Sequence, residues 1–176
     1  HFADSFKNIY TNDLLLHNYT ALNAFFSNEK IDFDLLKAEI DKCNQLKGSV
    51  NYYSKNFGDK FFSLDNAKRI GSIRAYIDTL NVSERMRHAL LTSLFYATDK
   101  VANTVGHYDA FRRGSQVNSP LVLKIPNLKN WKRKNYVFNI DSNKLVKEIS
   151  NKRISVTYID PPYNSRQYSD AYHLLE

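Results

Sequence analysis

The spacing of hydrophobic and polar residues predicts α/β structure at both ends of the chain. Residues 8–13 form a short stretch that stops at an acid, as a strand would, and residues 14–26 are apolar on all sides, as in a helix packed on a sheet. Near the other end, a strand, a helix and a strand, the unit that builds a parallel sheet, are predicted at 136–140, 144–149 and 155–159.

Between these ends the pattern is mainly helical. Apolar positions on one face predict an amphipathic helix over 32–46, and serine caps at Ser63 and Ser83 begin helices that run to about Leu80 and Val101. Loops rich in aromatic, Asn, Gly or Pro residues are predicted at 51–62, 106–114 and 117–131. The chain then divides into a first core part, a helical insertion and a second core part, at 1–32, 33–133 and 134–176.

Composition adds a preference for an anionic partner. The 176 residues carry a net charge of +7 and 14% aromatic side chains, which suits a nucleic-acid-binding protein because cations neutralise phosphates and rings stack on bases. A single cysteine, Cys43, excludes an internal disulfide and a thiolate zinc cluster. No stretch reaches the ~18 consecutive apolar residues of a membrane span. We therefore expect a cytoplasmic protein.

Three acids stand at the ends of the predicted strands. They are Asp13, Asp141 and Asp160. In an open parallel sheet, ligands bind outside the carboxyl ends of the strands, so these acids can meet in one crevice. The alternative is that each Asp caps the next helix, and for Asp13 and Asp141 this alternative is at least as good. It is weaker for Asp160, because two prolines follow.

The segment "YIDPPYN", residues 158–164, has the chemistry of a site for a nucleobase amine. A carboxylate and a neighbouring backbone carbonyl can accept hydrogen bonds from both N–H groups of the amine and stabilise the charge that develops when it attacks. Prolines hold that carbonyl rigid, and a tyrosine ring offers a stacking surface. Such a site requires the base to be flipped out of the duplex. The alternative is a stiff turn with the tyrosine in the core.

The sequence resembles the adenine-N6 DNA methyltransferases of the D12 class. The resemblance is carried by "YIDPPYNSRQYSDAYHLLE" (158–176), "IYTNDLLLHNYTALNAFF" (9–26) and "DKVANTVGHYDAF" (99–111). It implies a partial Rossmann-like methyltransferase sheet with a mainly helical insertion. It also implies S-adenosylmethionine as methyl donor and adenine in double-stranded DNA as acceptor.

The resemblance also implies roles for particular residues. The catalytic motif is Asp160, Pro161, Pro162 and Tyr163, in which Asp160 and the Pro161 carbonyl hold the amine and Tyr163 stacks on the base. Asp13, with Asn12 beside it, matches the acid that binds the cofactor's ribose hydroxyls, and Asp141 matches more weakly the acid that receives its adenine amine. Candidates for orienting the target nucleotide are Asn164, Arg166, Gln167 and Tyr168, for which a solvated helix start is an equal alternative.

The family's glycine-rich turn of the Phe-x-Gly-x-Gly kind is missing. None of the five glycines sits in such a turn, and the chain begins about where the turn would have ended. We therefore expect the interior of a longer protein, with cofactor binding and turnover belonging to the full-length enzyme.

The insertion occupies the position of the family's target-recognition region, which reads base edges in the major groove. Its candidate DNA contacts are Arg112, Arg113, Lys132 and Arg133, with Trp131 or Tyr108 as stacking platforms. A solvated charged face is the alternative for each cation. The histidines lack the spacing of a metal site.

Three functions remain open from the sequence. The first is a DNA adenine methyltransferase, the modification partner of a cognate restriction endonuclease. The second is a methyltransferase acting on RNA or on another exocyclic amine, and the long insertion favours DNA over RNA. The third is a non-catalytic nucleic-acid-binding fragment that has lost the glycine turn.

Overall fold

A computed structural model describes residues 2–106, 108, 110–114, 119–161 and 173–175, and the structural statements below concern those residues. A short 3-10 helix, Phe2–Ser5, precedes the regular elements. These are β1 (Tyr10–Asn12), α1 (Leu16–Phe26), α2 (Phe33–Gln45), α3 (Tyr52–Phe57), α4 (Leu64–Thr79), α5 (Glu84–Val101), β2 (Tyr136–Phe138) and α6 (Ser142–Glu148).

The two ends of the chain meet in a small parallel sheet, as the sequence predicts. β1 and β2 are hydrogen-bonded neighbours, with Tyr10 opposite Tyr136 and Asn12 opposite Phe138. The rings of Tyr10 and Tyr136 stack at 4.6 Å, nearly parallel, because opposite residues of paired strands present their side chains on the same face. Mixed helix and parallel strand is thus the architecture of the described residues.

The strand predicted at 155–159 is wrong. Residues 151–161 are exposed and form no element, and the Tyr158 side chain is 86% exposed. β-branched and aromatic residues favour an extended backbone, but an extended segment becomes a strand only when a neighbour takes up its hydrogen bonds. In the described residues β1 and β2 pair with each other and not with this segment.

The loop predicted at 51–62 contains the helix α3. Asn51 and Ser54 form a capping box: the Asn51 Oδ1 accepts from the Ser54 amide at 2.9 Å, and the Ser54 Oγ accepts from the Asn51 amide at 3.0 Å. The sequence pattern missed it because Ser54 replaces the usual Glu or Gln of the box.

The helices of the middle region and α1 share one hydrophobic core. α1 packs along α5, and α5 also contacts α2 and α4. Ala24, Leu36, Ile73 and Leu90 are among the fully buried side chains. Burial of each such leucine or isoleucine side chain stabilises the fold by roughly 1.5–3 kcal/mol. The predicted insertion therefore packs directly on the helix that follows β1.

A buried arginine joins three parts of the chain. Arg85, at the start of α5, is 1% exposed. Its guanidinium donates to the carbonyl oxygens of Ala24 at 3.1 Å and Lys129 at 2.8 Å, to that of Glu29, and to the Asn130 Oδ1 at 3.0 Å. Burial lowers the pKa of Arg85, and the Glu29 carboxylate opposes that shift. Because arginine stays charged, these acceptors are needed to compensate its lost hydration.

The segment from Ser119 to β2 has no helix or strand and is held by side-chain amides. The Asn44 amide bonds both the N–H and the carbonyl of Leu123, at 2.8 and 3.0 Å. Asn130 does the same to Ile31, at 2.8 and 3.0 Å, and Asn28 to Asn135, at 2.9 and 2.6 Å. Asn44 and Asn28 thus satisfy backbone groups of this segment that no partner strand satisfies, and Asn130 ties the segment to the loop after α1.

No helix in the described part of the chain is long and apolar enough to cross a membrane.

A buried carboxylate links α2 to α4. Glu39 is 5% exposed, accepts from the Lys42 Nζ at 2.7 Å and accepts from the Tyr76 hydroxyl at 2.7 Å. Burial would raise the pKa of Glu39, but these two hydrogen bonds outweigh it and lower the pKa from its ordinary value of 4.5. Burial, together with the bond to Glu39, raises the pKa of Tyr76 to about 12.

We predict that Arg85→Lys lowers the free energy of unfolding by about 3 kcal/mol or more, because a lysine keeps the buried charge but cannot reach carbonyls on three segments. Urea denaturation measures it. Arg74→Lys is the matched control, since Arg74 forms an exposed ion pair with Asp78 on α4, and it should cost less than about 0.5 kcal/mol. Equal losses in the two variants would contradict the role given to Arg85.

We predict a pH dependence of stability that runs through Glu39. A carboxyl group whose pKa is lowered by folding stabilises the protein above its unfolded pKa, and this contribution is lost as the pH falls through the folded pKa. Unfolding free energy measured from about pH 6 to about pH 3 should therefore fall less steeply in Glu39→Gln than in the unmodified protein. Glu148→Gln, which alters an exposed carboxylate on α6, should leave the slope unchanged.

Candidate functional site

Asp13 stands at the carboxyl end of β1 with its carboxylate fixed by two donors. Its Oδ1 accepts from the Leu15 amide at 2.9 Å, and its Oδ2 accepts from the Asn18 Nδ2 at 2.9 Å. This is a turn within the loop and not a cap of α1, whose first flanking residue, Leu15, makes no side-chain cap. Each oxygen therefore keeps a lone pair for a further donor. Leu14, next to it, is 68% exposed.

Asparagine side chains join the loops that leave β1 and β2. The Asn12 amide bonds both the N–H and the carbonyl of Ile140, at 3.1 and 2.9 Å. In the reverse direction, the Asn139 Nδ2 donates to the carbonyls of Asp13 and Leu14, at 2.7 and 3.0 Å. The side chain of Asn12, which was predicted to contact a cofactor, thus binds the Ile140 backbone and holds the two loops together. The amides fix Asp13 against the loop that leads to Asp141.

Asp141 lies on the other side of this edge and caps α6. Its Oδ1 accepts from the amides of Asn143 and Lys144, at 2.8 and 3.3 Å. The capping alternative weighed from the sequence therefore describes its Oδ1. The Oδ2 accepts no hydrogen bond from a described residue, and the side chain is exposed. One carboxylate can serve both as a helix cap and as an acceptor for a ligand.

Asp160 forms no hydrogen bond or ion pair with this edge in the described residues. Asp160 and Pro161 are exposed, and the Asp160 carboxylate accepts no hydrogen bond from any described residue. The meeting of Asp160 with Asp13 and Asp141 in one crevice therefore stays a prediction. The other predicted catalytic and target-orienting residues lie outside the described residues; they are Pro162, Tyr163, Asn164, Arg166, Gln167 and Tyr168.

Comparison with protein families identifies the family of this chain. The model of the D12 class N6 adenine-specific DNA methyltransferases matches residues 1–176, the whole chain. The chain belongs to this family.

Individual D12 relatives agree with the family model. The chain is 32% identical to the modification methylase StsI of Streptococcus sanguinis over 97% of its own length, and 31% identical to the type II methyltransferase M.NlaIII of Neisseria lactamica over 99%. It spans 29% and 54% of the lengths of those two proteins. No solved structure matches the chain.

The cations proposed as DNA contacts in this D12 chain differ in what they touch. Arg112, Arg113 and Lys132 are exposed. Arg133 is partly buried: it donates to the Phe6 carbonyl and stacks 4.2 Å from the centre of the Trp131 ring. It is therefore partly committed to holding the fold, which leaves the other three as freer candidates for DNA.

The two aromatic residues suggested as stacking platforms are structural. Tyr108 is 1% exposed and its hydroxyl donates to Asp99 at 3.3 Å, so its ring cannot lie against a base in this conformation. The Trp131 indole donates to the Phe25 carbonyl at 2.6 Å and stacks on Phe26, with ring centres 5.9 Å apart. The sequence could not separate these roles, because the residue type does not tell whether an aromatic side chain is exposed or packed.

A docking place for the end of the chain was missed by sequence reasoning. The Tyr53 hydroxyl on α3 donates to the Leu174 carbonyl at 2.8 Å, and the His173 ring lies 6.1 Å from Phe57 and 6.2 Å from Phe61. His173 and Leu174 follow the Asp-Pro-Pro-Tyr motif along the chain. The density of aromatic residues in 51–62 is the sequence signal for this contact, and it is equally typical of a loop.

Proposed function

We propose that the full-length protein carrying this chain transfers a methyl group from S-adenosylmethionine to the N6 amine of adenine in double-stranded DNA. The observation that carries the proposal is the match of the D12 adenine-methyltransferase model to the whole chain, which includes the Asp160–Tyr163 motif. The names of the relatives, a modification methylase and a type II methyltransferase, support a place in a restriction-modification system beside a cognate endonuclease.

The cofactor is proposed to bind at the carboxyl edge of β1 and β2, in what we take to be part of a Rossmann-like sheet. Asp13 suits the two hydroxyls of a ribose, because each of its oxygens has one protein donor and room for another. Leu14 is an exposed apolar surface for a purine ring, and the Asp141 Oδ2 can accept from an exocyclic amine. When bound, the cofactor supplies an electrophilic methyl group on a sulfonium.

Asp160 is proposed to act on the target base. Its carboxylate and the carbonyl of Pro161 can accept from the two N–H groups of adenine N6, which orients the nitrogen lone pair and stabilises its developing positive charge. The exposure of both residues is compatible with a ligand that comes from outside the chain. Tyr163 is proposed to stack on the flipped base.

The function is tested with the full-length protein and S-adenosylmethionine labelled in its methyl group. Incubation with duplex DNA or with RNA, followed by digestion to nucleosides, should place the label in N6-methyl-2′-deoxyadenosine from DNA. The control is protein carrying Glu148→Gln, an exposed position outside the proposed sites, which should label DNA equally. Label recovered from RNA alone would reject the assignment to DNA.

Substitutions of Asp160 and Asp13 are predicted to impair different steps of the reaction. Asp160→Ala should leave the Kd for S-adenosylmethionine within about threefold but reduce methyl transfer by about a hundredfold or more, because it removes an interaction made at the reacting amine. Asp13→Asn should weaken cofactor binding by about tenfold or more, since it removes a charged acceptor. Calorimetry gives the Kd and single-turnover labelling gives the transfer rate. Transfer by Asp160→Ala within about tenfold of the unmodified rate would disprove its role.

A further inference from the structure

One buried asparagine ties together two cationic segments that are distant in sequence. Asn103, just after α5, is 4% exposed. Its Nδ2 donates to the carbonyl of Lys60 at 3.1 Å and to that of Arg112 at 2.9 Å. Because both oxygens bind one nitrogen, they lie within about 6 Å of each other. The backbones of Lys60 and Arg112 are thus fixed side by side.

Further contacts make this junction rigid. The backbone N–H of Asn103 donates to the Phe61 carbonyl at 2.7 Å, and the backbone carbonyl of Asn103 accepts from the Arg112 N–H at 3.1 Å. The rings of Phe61 and Phe111 meet edge to face, 5.3 Å apart. Lys60 sits at the tip of a tight turn in which Asp59 has a φ of 57°, in the left-handed region. The two segments therefore form one preorganised surface.

That surface carries cations that no described acid neutralises. Lys60, Arg112 and Arg113 are exposed, and none of them forms an ion pair with a described residue. By contrast, Lys129 is paired with Asp4, whose pKa it lowers through their hydrogen bond, and Lys37 is paired with Asp41. The acid at the turn itself is Asp59, which forms no ion pair with Lys60.

The junction between Lys60 and Arg112 lies beside His173 and Leu174, which follow the Asp-Pro-Pro-Tyr motif along the chain. Phe61, adjacent to Lys60, has its ring 6.2 Å from that of His173, and the following residue, Leu174, is bonded to Tyr53 on α3. The backbone that carries Lys60 is therefore close to residues that follow the Asp-Pro-Pro-Tyr motif along the chain.

We propose that Lys60, Arg112 and Arg113 form a phosphate-binding cluster for the DNA strand next to the target adenine, with Asn103 as the residue that positions it. The proposal rests on the proposed function and adds Lys60 and Asn103, which the sequence does not single out. Phosphodiester oxygens are the ligands that such cations bind, and a backbone fixed in advance reduces the entropy lost on binding.

Full-length Lys60→Gln/Arg112→Gln tests the cluster, with fluorescence anisotropy of labelled duplex measured across a range of KCl concentrations. Each lost phosphate contact should reduce the slope of log Kobs against log salt by about 1, so the double variant should lose about 2 and bind specific and non-specific DNA roughly tenfold less tightly. In steady-state methylation, the loss should appear in KM for DNA rather than in kcat. Lys37→Gln is the matched control, because it removes one exposed charge that is already paired, and its slope should be unchanged.

Asn103→Ala separates positioning from simple structural support. If Asn103 acts through the two cations, its effect on the salt slope should be present alone and absent when added to the double variant, whereas general damage to folding would add to it. Melting temperatures monitor folding in each variant. An unchanged salt slope and KM in Lys60→Gln/Arg112→Gln, with the unmodified enzyme methylating DNA, would overturn the cluster; an unmodified enzyme that methylates no DNA would instead overturn the proposed function.

Discussion

The compensation of one buried positive charge organises the described structure. A guanidinium without solvent must find acceptors, and Arg85 finds them on the end of α1, on the loop after it and on the segment before β2. Because the five donors of arginine have a fixed planar arrangement, these acceptors are held at set positions relative to α5. The helical middle of the chain and the sheet are therefore joined into a single packed unit.

The sheet itself depends on amides that substitute for strands. A long irregular stretch precedes β2 in the chain. Within and around it, the side-chain amides of Asn28, Asn44 and Asn130 each bond both the N–H and the carbonyl of one residue. The same device recurs at the candidate cofactor edge, where Asn12 binds Ile140. Two-point amide contacts fix register, which is what places Asp13 and Asp141 at one edge. The chemistry proposed for that edge thus relies on asparagines that hold backbone in place, from Asn12 at the edge to Asn44 on α2.

Asp160 and residues 173–174 differ in how they contact the rest of the described structure. Asp160 lies on an exposed stretch that no described strand pairs with, while His173 and Leu174 are docked on aromatic residues around α3. Through Phe61, which contacts both His173 and Asn103, residues 173 and 174 lie next to the junction made by Asn103. The helical region thus holds residues 173 and 174, which follow the Asp-Pro-Pro-Tyr motif along the chain.

The sequence alone determined the long helices, the two strands and the acids at their ends, because these follow from periodicity, serine and aspartate caps and strand-terminal polarity, all of which are local. The resemblance to the D12 family was visible for the same reason, since it rests on three continuous segments, 9–26, 99–111 and 158–176. Only the tertiary structure decided which side chains are committed to holding the fold. Tyr108 and Trp131 are packed, Lys129 is neutralised by Asp4, and Lys60 is brought beside Arg112. Residues 155–159 form no strand in the described residues despite a favourable sequence, because pairing depends on a neighbour and not on propensity. Each of these outcomes is set by contacts between residues far apart in the chain, which no local pattern contains.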